Sequence, residues 1–241
     1  MDTVKLSLKS KPLMVAHRGV SGLETENTAA AFVAAGNRSY WGVECDIHRT
    51  SDGAYIVLHD KDTARVAGDA LTVAEHTLAE LRSIRLFDTH GSTEKRDDLL
   101  IPTLQEYVSI CKKYGKQCVI ELKDDFTEEQ IAEICHIIEA LDYLHGVTFI
   151  SFCYQNLVYL RGFYPTQSAQ FLKSHWQDDM IARMKAYSLD LDFNQKNITP
   201  EIIAECHANG IRVNVWTVDD PDRAAELISW GVDYITTNIL E

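Results

Sequence analysis

Short apolar, β-branched runs alternate with longer amphipathic stretches along almost the whole chain. The strand candidates are LMVAH (13–17), GVECDIH (42–48), QCVIEL (117–122), VTFIS (147–151), SAQFL (168–172), SLDLDF (188–193), RVNVW (212–216) and DYITT (233–237). A ninth run, AYIVLH (54–59), follows the second after a turn containing Ser51-Asp52-Gly53. Parallel neighbours need a crossover of about a dozen residues or more. Residues 54–59 therefore read as the returning arm of a β-hairpin, and eight strands remain for a parallel sheet.

Helix boundaries are marked between these runs. Thr103 with Glu106 and Thr127 with Gln130 fit capping boxes, in which each side chain satisfies the other's free backbone N–H. Thr199-Pro200 and Asp220-Pro221 fit a cap followed by proline at the first helical position. Gly115, Gly210 and Gly231 fit helix stops. Ile131, Ile134, Cys135, Ile138 and Leu141 keep the spacing of one buried helix face. Strand–helix alternation of this length predicts an α/β fold, a (β/α)8 TIM barrel forming a single domain over 1–241. A doubly wound open sheet is the rival, weakened because no GxGxxG follows the first strand. Residues 60–100 are the least regular and read as a small excursion carrying a helix over 73–84.

Chemistry enters with the second strand. Period-two alternation puts Glu44, Asp46 and His48 on one face and Val43, Cys45 and Ile47 on the other. The apolar face suits packing against helices, so the acids point into the barrel. Two inward carboxylates are costly unless something positive meets them. A hard divalent cation such as Mg2+ or Ca2+ answers that need with oxygen ligands. On the third strand Glu121 and Lys123 share a face. They read as a further ligand and a phosphate grip, or as a plain ion pair. His17 and Arg18 follow the first strand, at the end where barrels of this type carry their sites. His17 suits acid–base work and Arg18 a bidentate phosphate clamp, although taken alone the histidine reads first as a structural one. The hairpin arm ends in His59, returned to the level of Glu44 and Asp46. Trp216 faces inward on the seventh strand, as a pocket wall or as core.

Composition narrows the field further. The 241 residues carry a net charge of −13, which argues against nucleic acid and anionic membranes as partners held by bulk charge. An anionic substrate then needs a locally positive site. No apolar run is long enough for a signal peptide core or a transmembrane segment, which predicts a cytoplasmic protein. The six cysteines show no CxxC or zinc-type spacing and read as small buried hydrophobes.

The segments AHRG (16–19), ENTAAAF (26–32), GVECDIHRTSDG (42–53), IVLHD (56–60), IPTLQE (101–106), VIELK (119–123), ISF (150–152), VNVWTVDD (213–220) and GVDYITTN (231–238) together resemble the glycerophosphodiester phosphodiesterase family. Each is weak alone; their joint order and spacing are specific. The resemblance implies the barrel, and hydrolysis of glycerophosphodiesters to glycerol 3-phosphate and an alcohol. It implies Glu44, Asp46 and Glu121 as ligands of a divalent cation, and His17 and His59 as the acid–base pair. Arg18 and Lys123 match phosphate-binding positions, and Trp216 an aromatic residue on the glycerol side. Thr25, Cys153 and Asn238 depart from the family pattern and leave substrate range open. Asp190 and Asp192, on a predicted strand, have no role in it. The alternatives are a lysophospholipase D-type enzyme and a non-catalytic phosphodiester-binding barrel. The partner expected is a small-molecule diester, and a homo-oligomer stays open.

Overall fold

The computed structural model describes residues 2–6, 11–88 and 91–241. Nine strands form: β1 (Leu13–Ala16), β2 (Gly42–Arg49), β3 (Tyr55–Val57), β4 (Gln117–Leu122), β5 (Val147–Ser151), β6 (Ser168–Lys173), β7 (Asp190–Asn194), β8 (Val213–Trp216) and β9 (Tyr234–Thr237). All but β3 pair in parallel, in the order β1-β9-β8-β7-β6-β5-β4-β2, and a β1–β2 pairing closes the cylinder. The result is the eight-stranded TIM barrel that the alternation predicts. The hairpin arm β3 pairs antiparallel with β2, with His48 opposite Ile56.

The helices are α1 (Ala29–Gly36), α2 (Ala64–Ala67), α3 (Leu78–Leu81), α4 (Leu104–Tyr114), α5 (Glu128–Ala140), α6 (Tyr154–Phe163), α7 (Met180–Ala186), α8 (Pro200–Ala208) and α9 (Pro221–Trp230). Both expected capping boxes are present at α4 and α5. Proline opens α8 and α9 as expected. Gly115 and Gly231 stop α4 and α9 in the left-handed conformation, and Gly210 adopts it just after α8.

The helix expected over 73–84 does not form as one element. Residues Val73–Glu75 make a 3-10 turn, and α3 starts afresh at Leu78. The break has a local cause. Thr77 caps the backbone N–H of Glu80, and Glu80 returns the bond to Thr77, so the chain begins a new helix there. The excursion nevertheless has a small core of its own, in which Ile56, Leu58, Val66, Leu81, Leu99 and Ile101 are buried together.

Alternation along the strands sorts the interior. Val43, Cys45, Ile47, Ile120, Phe171 and Val215 join the large core between strands and helices. The opposite faces fill the barrel: Val15, Val119, Ile150 and Leu172 pack there with Trp41 and Trp216. Above them stand Glu44, Asp46 and Glu121, all buried. The β2–β4 register sets Asp46 directly beside Glu121.

Candidate active site at the C-terminal mouth of the barrel

Three carboxylates form the base of the site. Oxygens of Glu44, Asp46 and Glu121 lie within 4.8 Å of one another. Like charges at that spacing repel by about 3 kcal/mol per pair at an effective dielectric of ~20. Burial, and then the neighbouring Asp46, pushes Glu121 up to about 8. The same two causes raise Glu44 well above the carboxylate range. Asp46 is held down to about 2: burial opposes its charge, but Arg18 and Lys123 outweigh that cost. The hardware around it is visible. Lys123 Nζ stands 3.5 Å from Asp46 Oδ1 and 3.1 Å from Glu121 Oε1. Arg18 Nε is 3.4 Å from Asp46 Oδ2, and Asn27 Nδ2 donates to the same oxygen at 2.8 Å.

Charge counting tests whether a cation belongs here. Three carboxylates face only Arg18 and Lys123, and Arg18 is shared with Glu26, so acid is in excess here. A divalent ion would offset that excess and let an anionic phosphodiester approach. The donor set is all carboxylate oxygen, the chemistry that Mg2+ and Ca2+ select. The residues present therefore fit such an ion.

The first loop is shaped by this cluster. Arg18 takes φ +53 and Gly19 φ +77. The turn lets the Arg18 N–H donate to Glu44 Oε2 at 2.8 Å and the Gly19 N–H to the Glu44 carbonyl at 3.2 Å. A Cβ on Gly19 would meet the Ala31 backbone carbonyl carbon at 2.7 Å, so only glycine fits at this close approach.

Each histidine is oriented from behind. Asp219 Oδ2 accepts from Asn238 Nδ2, which turns Asn238 Oδ1 toward His17 Nδ1 at 2.7 Å. That nitrogen must then carry the proton, leaving Nε2 as the free one. His59 Nδ1 is 2.7 Å from Asp60 Oδ1. Asp60 and Glu26 are both held by Arg65, and Glu26 also pairs with Arg18 at 2.9 Å. A continuous ionic chain thus links His59 to Arg18. Burial lowers His17 to about 4, with Arg18 adding to the effect, and burial likewise lowers His59. His48, expected on the acid-bearing face of β2, does not line the site. It is buried, 2.8 Å from Asp124 Oδ1 and 3.2 Å from the His59 carbonyl, and so pins the returning arm.

One cavity of about 160 Å3 gathers His17, Arg18, Glu44, His59, Glu121, Lys123 and Trp216. The residues expected as ligands, acid–base pair, phosphate grips and pocket wall thus lie together, with Asp46 bonded beneath. Trp216 is half-buried at the rim, edge-on to the exposed Phe152 with ring centroids 5.9 Å apart. Sequence reasoning assigned no role to Glu26, Asn27, Asp60, Arg65, Asp219 or Phe152. A second recess of about 430 Å3 shares His17 and Arg18 and extends past Ser21, Glu26, Arg65 and Asp219. A larger cavity on the barrel flank, between α1, α4 and the excursion, shares no lining residue with the site.

The closed barrel with acids, histidines and cations at the C-terminal ends of its strands defines a barrel enzyme, since this is the face where such folds carry catalysis. Residues 17–241 match the glycerophosphoryl diester phosphodiesterase family. A glycerophosphodiester phosphodiesterase from Caldanaerobacter subterraneus subsp. tengcongensis is 31% identical over 238 residues, covering 95% of this chain and 94% of its own. One from Bacillus subtilis is 27% identical over 246 residues, covering 94% and 83%. A phosphodiesterase from Oleispira antarctica, solved in complex with the product sn-glycerol-3-phosphate, aligns with a TM-score of 0.86 at 25% identity, covering 95% and 93%. The chain belongs to the glycerophosphoryl diester phosphodiesterase family, whose members are phosphoric diester hydrolases.

Proposed function

We propose that this protein hydrolyses glycerophosphodiesters to glycerol 3-phosphate and an alcohol in a divalent-cation-dependent reaction. The observation that carries this reading is the buried triad of Glu44, Asp46 and Glu121 beneath two oriented histidines. Those three side chains would hold Mg2+ or Ca2+. When bound, the ion supplies positive charge against the phosphoryl oxygens.

Arg18 and Lys123 grip the non-bridging oxygens and stabilise the charge that builds on them in the transition state. His17 and His59 present Nε2 on either side. One accepts the proton of the nucleophile and the other delivers a proton to the leaving oxygen. Both are disposed toward the neutral form in the free protein. An anionic diester between them favours protonation of the donor, because an opposite charge nearby raises an imidazole's pKa. Asn238 and Asp60 hold the rings in register for that exchange.

The polar lining of the adjoining recess, with Ser21, Glu26, Arg65 and Asp219, supports a hydrophilic substrate rather than an acyl chain. All six cysteines are free and five are buried, which supports a reducing, cytoplasmic setting. Among the described residues no helix is long and apolar enough to cross a membrane.

The test is a substrate panel with and without EDTA. Glycerophosphocholine should release glycerol 3-phosphate with Mg2+ or Ca2+ present, and EDTA should stop it. Full turnover in EDTA would overturn the cation requirement, and a preference for lysophosphatidylcholine would favour the lysophospholipase D reading.

A further inference from the structure

Asp192 lies on β7, turned into the barrel and only 2% exposed, and its Oδ1 has no hydrogen-bond partner among the described residues. Its neighbours differ. Asn214, its register partner on β8, gives Nδ2 to Gln170 at 3.1 Å and accepts from Thr236 Oγ1 at 3.1 Å. Two residues earlier on the same strand, Asp190 is matched by Arg212 Nη2 at 2.7 Å. The barrel therefore pairs an acid on this strand at one position and leaves the next one open. A buried polar atom without a partner is costly, so its retention calls for a reason.

The location supplies one. Asp192 lines the same cavity as the histidines and the acid cluster. Around it Ile150, Leu172 and Trp216 offer carbon faces, and the Thr236 hydroxyl already gives its proton to Asn214. A ligand seated there meets these carbon faces together with two uncommitted polar atoms, Asp192 Oδ1 and Trp216 Nε1. That arrangement fits a short polyol, whose carbons take the walls and whose hydroxyl takes the acid.

We propose that Asp192 selects the glycerol arm of the substrate by hydrogen-bonding one of its hydroxyl groups while the phosphoryl group sits between His17 and His59. This rests on the hydrolase reading above, and the test separates the two. Protein loaded with Mg2+ or Ca2+ is titrated calorimetrically with sn-glycerol 3-phosphate and with n-propyl phosphate, which lacks both hydroxyls. The wild type should bind the glycerol compound at least about fivefold more tightly, as expected for the net gain of one hydrogen bond. Asp192→Ala should bring the two affinities within about twofold, and Asp192→Asn, which keeps a carbonyl acceptor, should fall between.

Asp192→Asn should also melt no lower than the wild type, because no partner is lost. A clear drop in melting temperature would assign the residue to folding and overturn the proposal. So would equal affinities in the wild type, an unchanged preference in Asp192→Ala, or equal loss of both ligands in that variant. Glycerophosphocholine turnover by the wild type is followed in parallel. Selective binding without cleavage would sink the hydrolase reading and leave Asp192 its role. Cleavage without selective binding would sink the role of Asp192 alone.

Discussion

Replacing Glu44 by glutamine is expected to cut cation-dependent turnover by well over about 100-fold while leaving the barrel folded. Outer-shell partners of metal ligands already cost about 10–100-fold in affinity or activity when changed, and Glu44 is placed to be a ligand itself. The fold should tolerate the change for two reasons. Glutamine retains an amide oxygen that can accept from the Arg18 N–H, the bond Glu44 makes at 2.8 Å. It also removes one of three mutually repelling acids. The melting temperature without added cation should therefore hold or rise. Steady-state kinetics on glycerophosphocholine, with thermal melts alongside, check both halves. Full activity in Glu44→Gln would remove this residue from the site.

His17→Ala should lower kcat by about 100-fold or more, the usual contribution of a positioned acid–base group. The ring is held through Nδ1 by Asn238, itself fixed by Asp219, which leaves Nε2 free to exchange a proton. No other described imidazole fills that position, because His59 is anchored across the site on Asp60. The split between kcat and KM is the readout. A change confined to KM would make His17 a binding group.

Why these residues were visible in the sequence, and others were not, has a physical basis. Strand alternation is short-range and strict, so Glu44 and Asp46 announce themselves as inward acids on a strand whose other face is Val43, Cys45 and Ile47. Arg18 and Lys123 sit one residue beyond recognisable strands, where the chain must enter the mouth of the barrel. The Arg65 network carries no such signal. Its partners Glu26 and Asp60 are brought together by the folding of the excursion, which no periodicity encodes. The role of His48 was hidden for a similar reason: alternation gives its face, but the bond to the His59 carbonyl depends on how the hairpin returns. The broken helix at 73–84 was legible in principle, since Thr77 and Glu80 carry the same capping pattern read correctly at Thr103 and Glu106. For Asp192 the strand could be read, but the missing partner shows only when the neighbours' bonds are traced.

Three strand-borne carboxylates, Glu44, Asp46 and Glu121, are expected to act as one cation site. Calorimetric titration of EDTA-stripped protein with Ca2+ or Mg2+ addresses this directly. One ion should bind per chain in the wild type, and binding should be lost or greatly weakened in Glu44→Gln, Asp46→Asn and Glu121→Gln alike. Undiminished binding in all three variants, or none in the wild type, would contradict it.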